Sequence, residues 1–335
     1  MNAKKTLKVS LITTEYNERA SIDEFLDSAL AQSQRPDEIV IADAGSTDGT
    51  IERIQERIKK GDPLALVVAK GNRSVGRNAA IRAAKNNIIA VADVGCRLDN
   101  DWLKEITKPF QNKGAEVVAG FFKADPQTEF ERVSSVLMTD SQKEIDLKNW
   151  LPSSRSFAFT KRAWEKVGGY PEYKEFGDDY VARMCGGEDT LFDLKLRKAG
   201  YEFHDGLKAV VYWRPRKNLR EFFRQYWMYS IGDGIRLVDF RHFIKLKFKY
   251  AILIIITVLL SLFWPILLMP FDVLILLKIA WRVLYKWKKV GGVKNLIWMM
   301  LMITTYDLAQ ITGFARGLLA RLSVPKEKRI TYEPQ

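Results

Sequence analysis

Through the first 125 residues, short apolar runs alternate with longer stretches that have helical spacing. Val9-Ser-Leu-Ile-Thr-Thr14, Ile39-Val-Ile-Ala42 and Ile88-Ile-Ala-Val-Ala92 are rich in β-branched residues and bounded by turn residues. That is the pattern of strands buried on both faces. The intervening segments place apolar residues three and four apart among charged ones. The expected elements are strand 7–13, helix 20–33, strand 38–43, helix 48–60, strand 64–69, helix 75–87, strand 88–93, helix 101–112 and strand 116–122. Such a βαβ series predicts an α/β fold with a doubly wound, mostly parallel sheet.

Three of these strands run straight into polar groups. The first ends in Thr13, Thr14 and Glu15, the second in Asp43, and the fourth in Asp93. Ligands of open α/β sheets bind just beyond the carboxyl ends of strands, so the three ends point to one crevice suited to a nucleotide and a metal. The turn after Asp43, Ala44-Gly-Ser-Thr-Asp-Gly-Thr50, places Thr47 or Asp48 to cap the next helix. No Gly-x-Gly-x-x-Gly follows the first strand and no P-loop is present, so the nucleotide must be held another way.

The C-terminal third changes character. From Tyr250 to Phe271 no residue is charged, a run of 22 positions, long enough to cross a bilayer core. Pro265 and Pro270 interrupt it and suggest a hairpin over about 243–284. A second apolar stretch predicts a third membrane or interfacial helix at about 294–318. Basic clusters around Lys245–Lys249, Arg282–Lys294 and Arg316–Arg329 flank these segments. Positive residues stay on the cytoplasmic side and favour anionic lipid headgroups. The expected organisation is a cytosolic domain at 1–235 and a membrane region at 236–335, in a multi-pass protein of the cell membrane.

The remaining composition narrows the function. The formal charge is +13 over 335 residues, yet no zinc finger, helix-turn-helix or aromatic-studded basic sheet accompanies it, which argues against nucleic acid as a partner. Cys96, Cys185, His204 and His242 are the only cysteines and histidines and do not have zinc-ligand spacing. The N-terminus has no apolar run ahead of the first strand and does not read as a signal peptide.

Several segments together resemble glycosyltransferase family 2, of the GT-A fold, over about residues 7–235. They are Ser10-Leu-Ile-Thr-Thr-Glu-Tyr-Asn-Glu18, Asp43-Ala-Gly-Ser-Thr-Asp-Gly-Thr50, Gly76-Arg-Asn-Ala-Ala80, Val167-Gly-Gly-Tyr-Pro-Glu172, Gly187-Glu-Asp189 and Arg224-Gln-Tyr-Trp227. The resemblance implies that Asp43 contacts the nucleobase, where a turn-capping role is the alternative. It implies that Thr13, Thr14 and Glu15 line base and ribose. Arg77 would face a pyrophosphate or base, or else a solvated helix face. Asp93 occupies the first position of the family's Asp-x-Asp metal motif, with Gly95 at the second; Asp93 would hold Mg²⁺ or Mn²⁺ shared with a diphosphate. In the family the segment Pro152–Phe159 abuts the donor sugar, which brings in Arg155 and Ser156. Trp213 stands where many relatives have a metal-binding histidine. Arg224, Gln225 and Trp227 fall near the Gln-x-x-Arg-Trp of processive polymerases, which this chain does not carry.

Glu188 and Asp189 open a helix where the dipole favours carboxylates. Inverting sugar transfer requires one carboxylate to deprotonate the acceptor hydroxyl, and the resemblance favours Asp189 over Glu188. The combined reading is an inverting glycosyltransferase that moves sugar from a UDP- or GDP-linked nucleotide sugar to a lipid or lipid-linked glycan at the membrane. The alternatives are a protein or soluble glycan acceptor, or an inactive membrane scaffold.

Overall fold

A computed structural model describes residues 7–112, 114–137, 142–174, 185–237, 277 and 280–325. It divides into two compact units. The first comprises Met1–Asp125, Thr139–Lys174 and Gly187–Arg214, and the second Pro126–Met138, Glu175–Gly186 and Pro215–Gln335.

In the first unit, β1 (Val9–Glu15), α1 (Ile22–Leu30), β2 (Glu38–Asp43), α2 (Thr50–Lys59), β3 (Leu64–Val68), α3 (Arg73–Ala83) and β4 (Ile88–Val91) follow the expected alternation. Next come β5 (Cys96–Leu98), α4 (Trp102–Asn112), β6 (Val117–Ala124), β7 (Phe157–Thr160), α6 (Lys161–Lys166), α7 (Glu188–Lys198) and β8 (His204–Trp213). The strands form one sheet in the order β3-β2-β1-β4-β7-β6-β8-β5. Pairings among β1 to β4 are parallel, but β7 runs antiparallel to both β4 and β6, and β5 antiparallel to β8. The sheet is therefore mixed, and the mostly parallel expectation holds for its N-terminal half. The chain winds from β1 outward to β3 and returns to β4 on the other side of β1. The carboxyl ends of β1 and β4 thus flank a topological switch point. Register places Glu15 opposite Asp43 there.

The core follows from the strand patterns. Ile12, Val40, Ile89 and Val91 meet Phe157, Phe159, Phe192 and Leu196 in one buried cluster. Helix α3 ends at Ala83, short of the expected 87. Glu38 Oε1 accepts the Lys85 N–H at 2.6 Å, and Ser10 Oγ accepts the Asn86 N–H at 3.2 Å, so those donors leave the helix. Helix α2 is capped by Gly49 at φ +89° rather than by Thr47 or Asp48; Asp48 Oδ1 instead accepts the Thr50 N–H at 3.1 Å.

The second unit contains α5 (Glu129–Ser135), α8 (Leu219–Arg236), a helical stretch at 280–287, and α9 (Val293–Ser323). Helices α8 and α9 touch backbone to backbone. A methyl group at Gly313 or Gly317 would collide with the carbonyls of Trp227 or Ile231. The spacing Gly313-x-x-x-Gly317 is the small-residue pattern that permits such an approach. Around it Phe222, Tyr226, Met299, Met302, Ile303 and Ala309 are buried.

No helix among the described residues is long and apolar enough to cross a membrane. The third helix, expected at 294–318, is the 31-residue α9. Its Asp307 is paired with Arg282 at 2.7 Å, and it does not qualify as a span. The uncharged run from Tyr250 to Phe271, and with it the expected hairpin up to residue 276, lies outside the described residues.

Candidate active site

Helix α3 can approach β1 because Gly76 has no side chain: a Cβ there would lie 2.9 Å from Thr14 Cγ2. That approach brings Arg77 inside, at 2 % exposure. Its guanidinium donates to Glu188 Oε1 at 2.7 Å and to Asp93 Oδ1 at 2.8 Å, and lies 5.4 Å from the centre of the Tyr170 ring. The solvated helix face is excluded by this burial, and the guanidinium has two carboxylate partners that the sequence did not show. The arginine ties the acid after β4 to the acid opening α7.

The next residue pins the neighbouring loop. Asn78 Nδ2 donates to the Tyr170 carbonyl at 2.9 Å and to Glu172 Oε1 at 2.9 Å. Its Oδ1 accepts from Trp164 Nε1 at 2.9 Å and from the Tyr170 N–H at 3.0 Å. Gly169 adopts φ +69°, and a Cβ there would lie 2.7 Å from Asn78 Oδ1. The two sequence motifs Gly76-Arg-Asn and Gly-Gly-Tyr170 are thus halves of one buried lock. Tyr170 stacks on Phe192 of α7 at 4.0 Å between ring centres, and its hydroxyl lies 3.1 Å from Ser154 Oγ.

At the start of α7 the two acids diverge. Burial pushes Glu188 upward, but the Arg77 and Arg73 charges and the hydrogen bonds it accepts together outweigh it and hold the carboxyl below the usual range. Burial raises Asp189, and the neighbouring Glu188 charge adds to the shift. Asp189 Oδ2 has only long approaches from the Ser154 N–H at 3.4 Å and Ser153 Oγ at 3.5 Å. A carboxylate lifted toward neutrality and weakly solvated suits a general base; one locked to a guanidinium does not. One turn further on, Asp193 is buried, has an unpartnered Oδ2, and is driven well above the carboxylate range by burial and by Asp189. Sequence reasoning missed Asn78, Tyr170 and Asp193; the spacing of Asp189 and Asp193 on one helix face was the available signal for the last.

Asp93 is held below the usual range, because Arg77 and then Arg155 outweigh its burial. Its other oxygen has no hydrogen bond among the described residues. Gly95 at φ +87° faces open space, so no second carboxylate stands beside it. Cys96 is buried, and burial pushes its thiol up, so it offers no thiolate. Among the described residues no group of three His, Cys, Asp or Glu side chains is placed to hold a metal. The donor set fits a hard cation only as Asp93 plus oxygens that a diphosphate and water bring. Arg155 stands over the Phe122 ring at 5.0 Å and the Trp213 ring at 4.8 Å, and its Nη1 donates to Ser153 Oγ at 3.0 Å. Trp213 therefore supports a cation.

Ser156 is in the core, accepting from Trp102 Nε1 at 2.8 Å and donating to the Ala209 carbonyl at 2.9 Å; its hydroxyl is used up and does not reach the crevice. Asp43 is fully buried, and its Oδ1 accepts the N–H groups of Gly45 and Ser46 at 2.5 and 2.7 Å, as a turn-capping aspartate does, while its Oδ2 is buried without a hydrogen-bond partner among the described residues. Glu15 is pushed up to about 9, chiefly by burial and then by Asp43, so at neutral pH it carries a proton that Asp43 can accept. Thr13 is buried with an unpartnered hydroxyl, and Thr14 packs beneath Gly76. Arg224, Gln225 and Trp227 lie on α8 in the second unit. There Arg224 is exposed, and Gln225 binds Arg216 at 3.3 Å and the Tyr229 hydroxyl at 2.9 Å.

Comparison with known proteins gives the same direction. The family model Glycosyl transferase family 2 matches residues 10–168. The chain is 29 % identical to the succinoglycan biosynthesis protein ExoA of Rhizobium meliloti over 247 residues, 69 % of this chain and 71 % of that one. It is 24 % identical to the glycosyltransferase AglE of Haloferax volcanii over 68 % of this chain and 72 % of that one. In fold it is similar to the mannosyltransferase PcManGT of Pyrobaculum calidifontis, a structure solved with GDP-Man and Mn²⁺. The TM-score is 0.58 at 17 % identity, covering 92 % of this chain and 87 % of that one. These matches place a glycosyltransferase family 2 domain over residues 10–168 of the chain, on a fold similar to that of a solved mannosyltransferase.

Proposed function

We propose that the protein transfers a sugar, with inversion, from a UDP- or GDP-linked donor to a hydroxyl of a lipid or lipid-linked glycan. The observation that carries the reading is the divergence of the two acids opening α7: Glu188 is ionised and locked, Asp189 is raised and loosely held. Asp189 takes the proton from the acceptor hydroxyl as its oxygen bonds to the anomeric carbon. The bond from that carbon to the donor diphosphate breaks, and the diphosphate leaves as an anion that needs no proton. Arg155 and Arg73, whose charges act on Asp93 alongside Arg77, supply positive potential for it. A divalent ion held by Asp93 and the diphosphate would neutralise more of that charge. Tyr170 and Arg77 hold the acids in place. The lipid acceptor is supported by the 22-residue uncharged run and its basic flanks.

The test is release of nucleoside diphosphate and transfer of labelled sugar, measured with a set of nucleotide sugars against lipid extract and aqueous glycans. Transfer into the lipid phase is expected. Transfer confined to aqueous glycans or protein overturns the acceptor assignment, and absence of turnover with every donor overturns the enzyme reading.

A further inference from the structure

Helix α9 is apolar where a helix in water should be polar. Ile297, Met300, Leu308, Ile311, Leu319 and Leu322 recur at helical spacing along one side, each 46 % or more exposed. Thr304 and Ala315 fill the gaps. Between residues 295 and 323 no exposed residue is charged. The opposite side is already used: Met299, Met302, Ile303, Ala309, Gly313 and Gly317 pack within the second unit. At 1.5 Å per residue the bare stripe is roughly 38 Å long. Apolar patches of that extent on a monomer in water mark a contact surface.

The surroundings of the stripe identify its partner. Residues 280–325 contain seven basic residues and one acid, Asp307, which Arg282 neutralises. Lys288, Lys289 and Lys294 are exposed at the N-terminal end of α9. Trp281 and Tyr285, stacked at 5.5 Å, are exposed beside them at 63 % and 51 %. A protein partner would leave so many lysines to be matched by acids. An anionic bilayer surface matches them with headgroups, takes indole and phenol rings at the headgroup level, and accepts an apolar helix face at the acyl boundary.

We propose that the exposed side of α9 is a lipid-docking face, which lies along the surface of an anionic bilayer with Ile297, Leu308 and Leu319 in the acyl boundary and Lys288, Lys289 and Lys294 among the headgroups. A one-sided stripe on a helix unable to cross the membrane lies flat. The docking is independent of sugar transfer.

The experiment uses the full chain with single cysteines, Ile297→Cys, Leu308→Cys and Leu319→Cys, each carrying an environment-sensitive fluorophore. Cys96 and Cys185 are buried, and Glu56→Cys, on α2, is the water-exposed control. Vesicles contain phosphatidylglycerol and phosphatidylcholine, with nitroxide placed either high or low on the acyl chain. All three α9 labels are expected to lose most of their emission to the shallow nitroxide, less to the deep one, and little to aqueous iodide. The control should show the reverse. Strong iodide quenching of the α9 labels overturns the proposal. So does protection from both iodide and nitroxides, which means that protein covers the face, and so does strongest quenching by the deep nitroxide at 308, which means that the helix crosses. None of these outcomes bears on turnover, so loss of the docking face and loss of the enzymatic reading are separately visible.

Discussion

At the residue scale, Arg77 was legible as a candidate site residue, but its two carboxylate partners were not. A guanidinium after a strand suggests phosphate, and nothing local reveals that Glu188, 111 positions away, returns to claim it. Replacing Arg77 with Met would strand the buried Glu188 carboxylate and the half-buried Asp93. Breaking such a pair costs about 3–5 kcal/mol, so the variant should unfold far more easily in denaturant. Near-wild-type stability would show that solvent reaches the acids. Asp189→Asn keeps the shape and removes the base; the rate should fall about 10²–10⁴-fold with donor affinity unchanged. Unchanged turnover would move the role to another group. Because burial and Glu188 raise Asp189, and the base acts ionised, the acid limb of the rate profile should lie above the ordinary carboxylate value of about 3.9, with activity rising as pH climbs through it. Glu15 works in the opposite sense. Held near 9 in the fold against 4.5 unfolded, it binds an extra proton in the folded state between those values. Stability therefore declines as pH rises through that window, by up to about 1.4 kcal/mol per pH unit. Glu15→Gln, neutral throughout, should flatten the decline. An identical slope in the variant would show that Glu15 is already ionised in the fold.

At the element scale, the β1 to β4 alternation and the α4–β6 pair up to residue 124 were readable, because each of these strands is a short apolar run closed by a turn. The three-residue β5 was not seen, and helix ends were off by up to four residues. What periodicity could not show was direction. Phe157–Thr160 was not read as a strand, and its antiparallel pairing with β4 and β6 follows from how a long intervening segment returns, which no local pattern encodes. The contact of α8 with α9 was also invisible, since two glycines in an apolar helix look like weak points until the Trp227 and Ile231 carbonyls are seen against them. Gly317→Leu should force the helices apart. Overpacking of this kind typically costs 1–3 kcal/mol, and here the obstacle is backbone, so the upper end is expected. Melting followed by the helical circular dichroism signal would show a lowered midpoint. An unaltered midpoint would mean that the α8–α9 contact contributes nothing to stability.

At the scale of the whole molecule, the composition break near residue 235 invites a cut there, and the fold shows what such a cut would expose. Helix α8 begins at Leu219, before the break, and belongs to the unit that α9 completes. Phe222, Tyr226, Met299, Met302 and Ile303 are buried together with Val133 of α5. Deleting residues 243–335 would strip these partners from α8 and α5 and leave Phe222, Tyr226, Ile231 and Ile235 facing water. Each large apolar side chain so exposed forfeits about 1.5–3 kcal/mol of burial. The first unit keeps its own core, with Ile12, Val40, Phe157, Phe159 and Phe192 untouched, and retains the Arg77, Asp93, Glu188 and Asp189 cluster. The shortened chain should therefore remain folded around the sheet, with the far-ultraviolet signal of an α/β protein, while binding a hydrophobic dye strongly and eluting as aggregates in gel filtration. Adding Phe222→Ser and Ile231→Ser to the same truncation should reduce both dye binding and aggregation, because those side chains are the exposed surface. A truncated chain that is monomeric and dark to the dye without those changes would show that α8 buries its apolar face without α9.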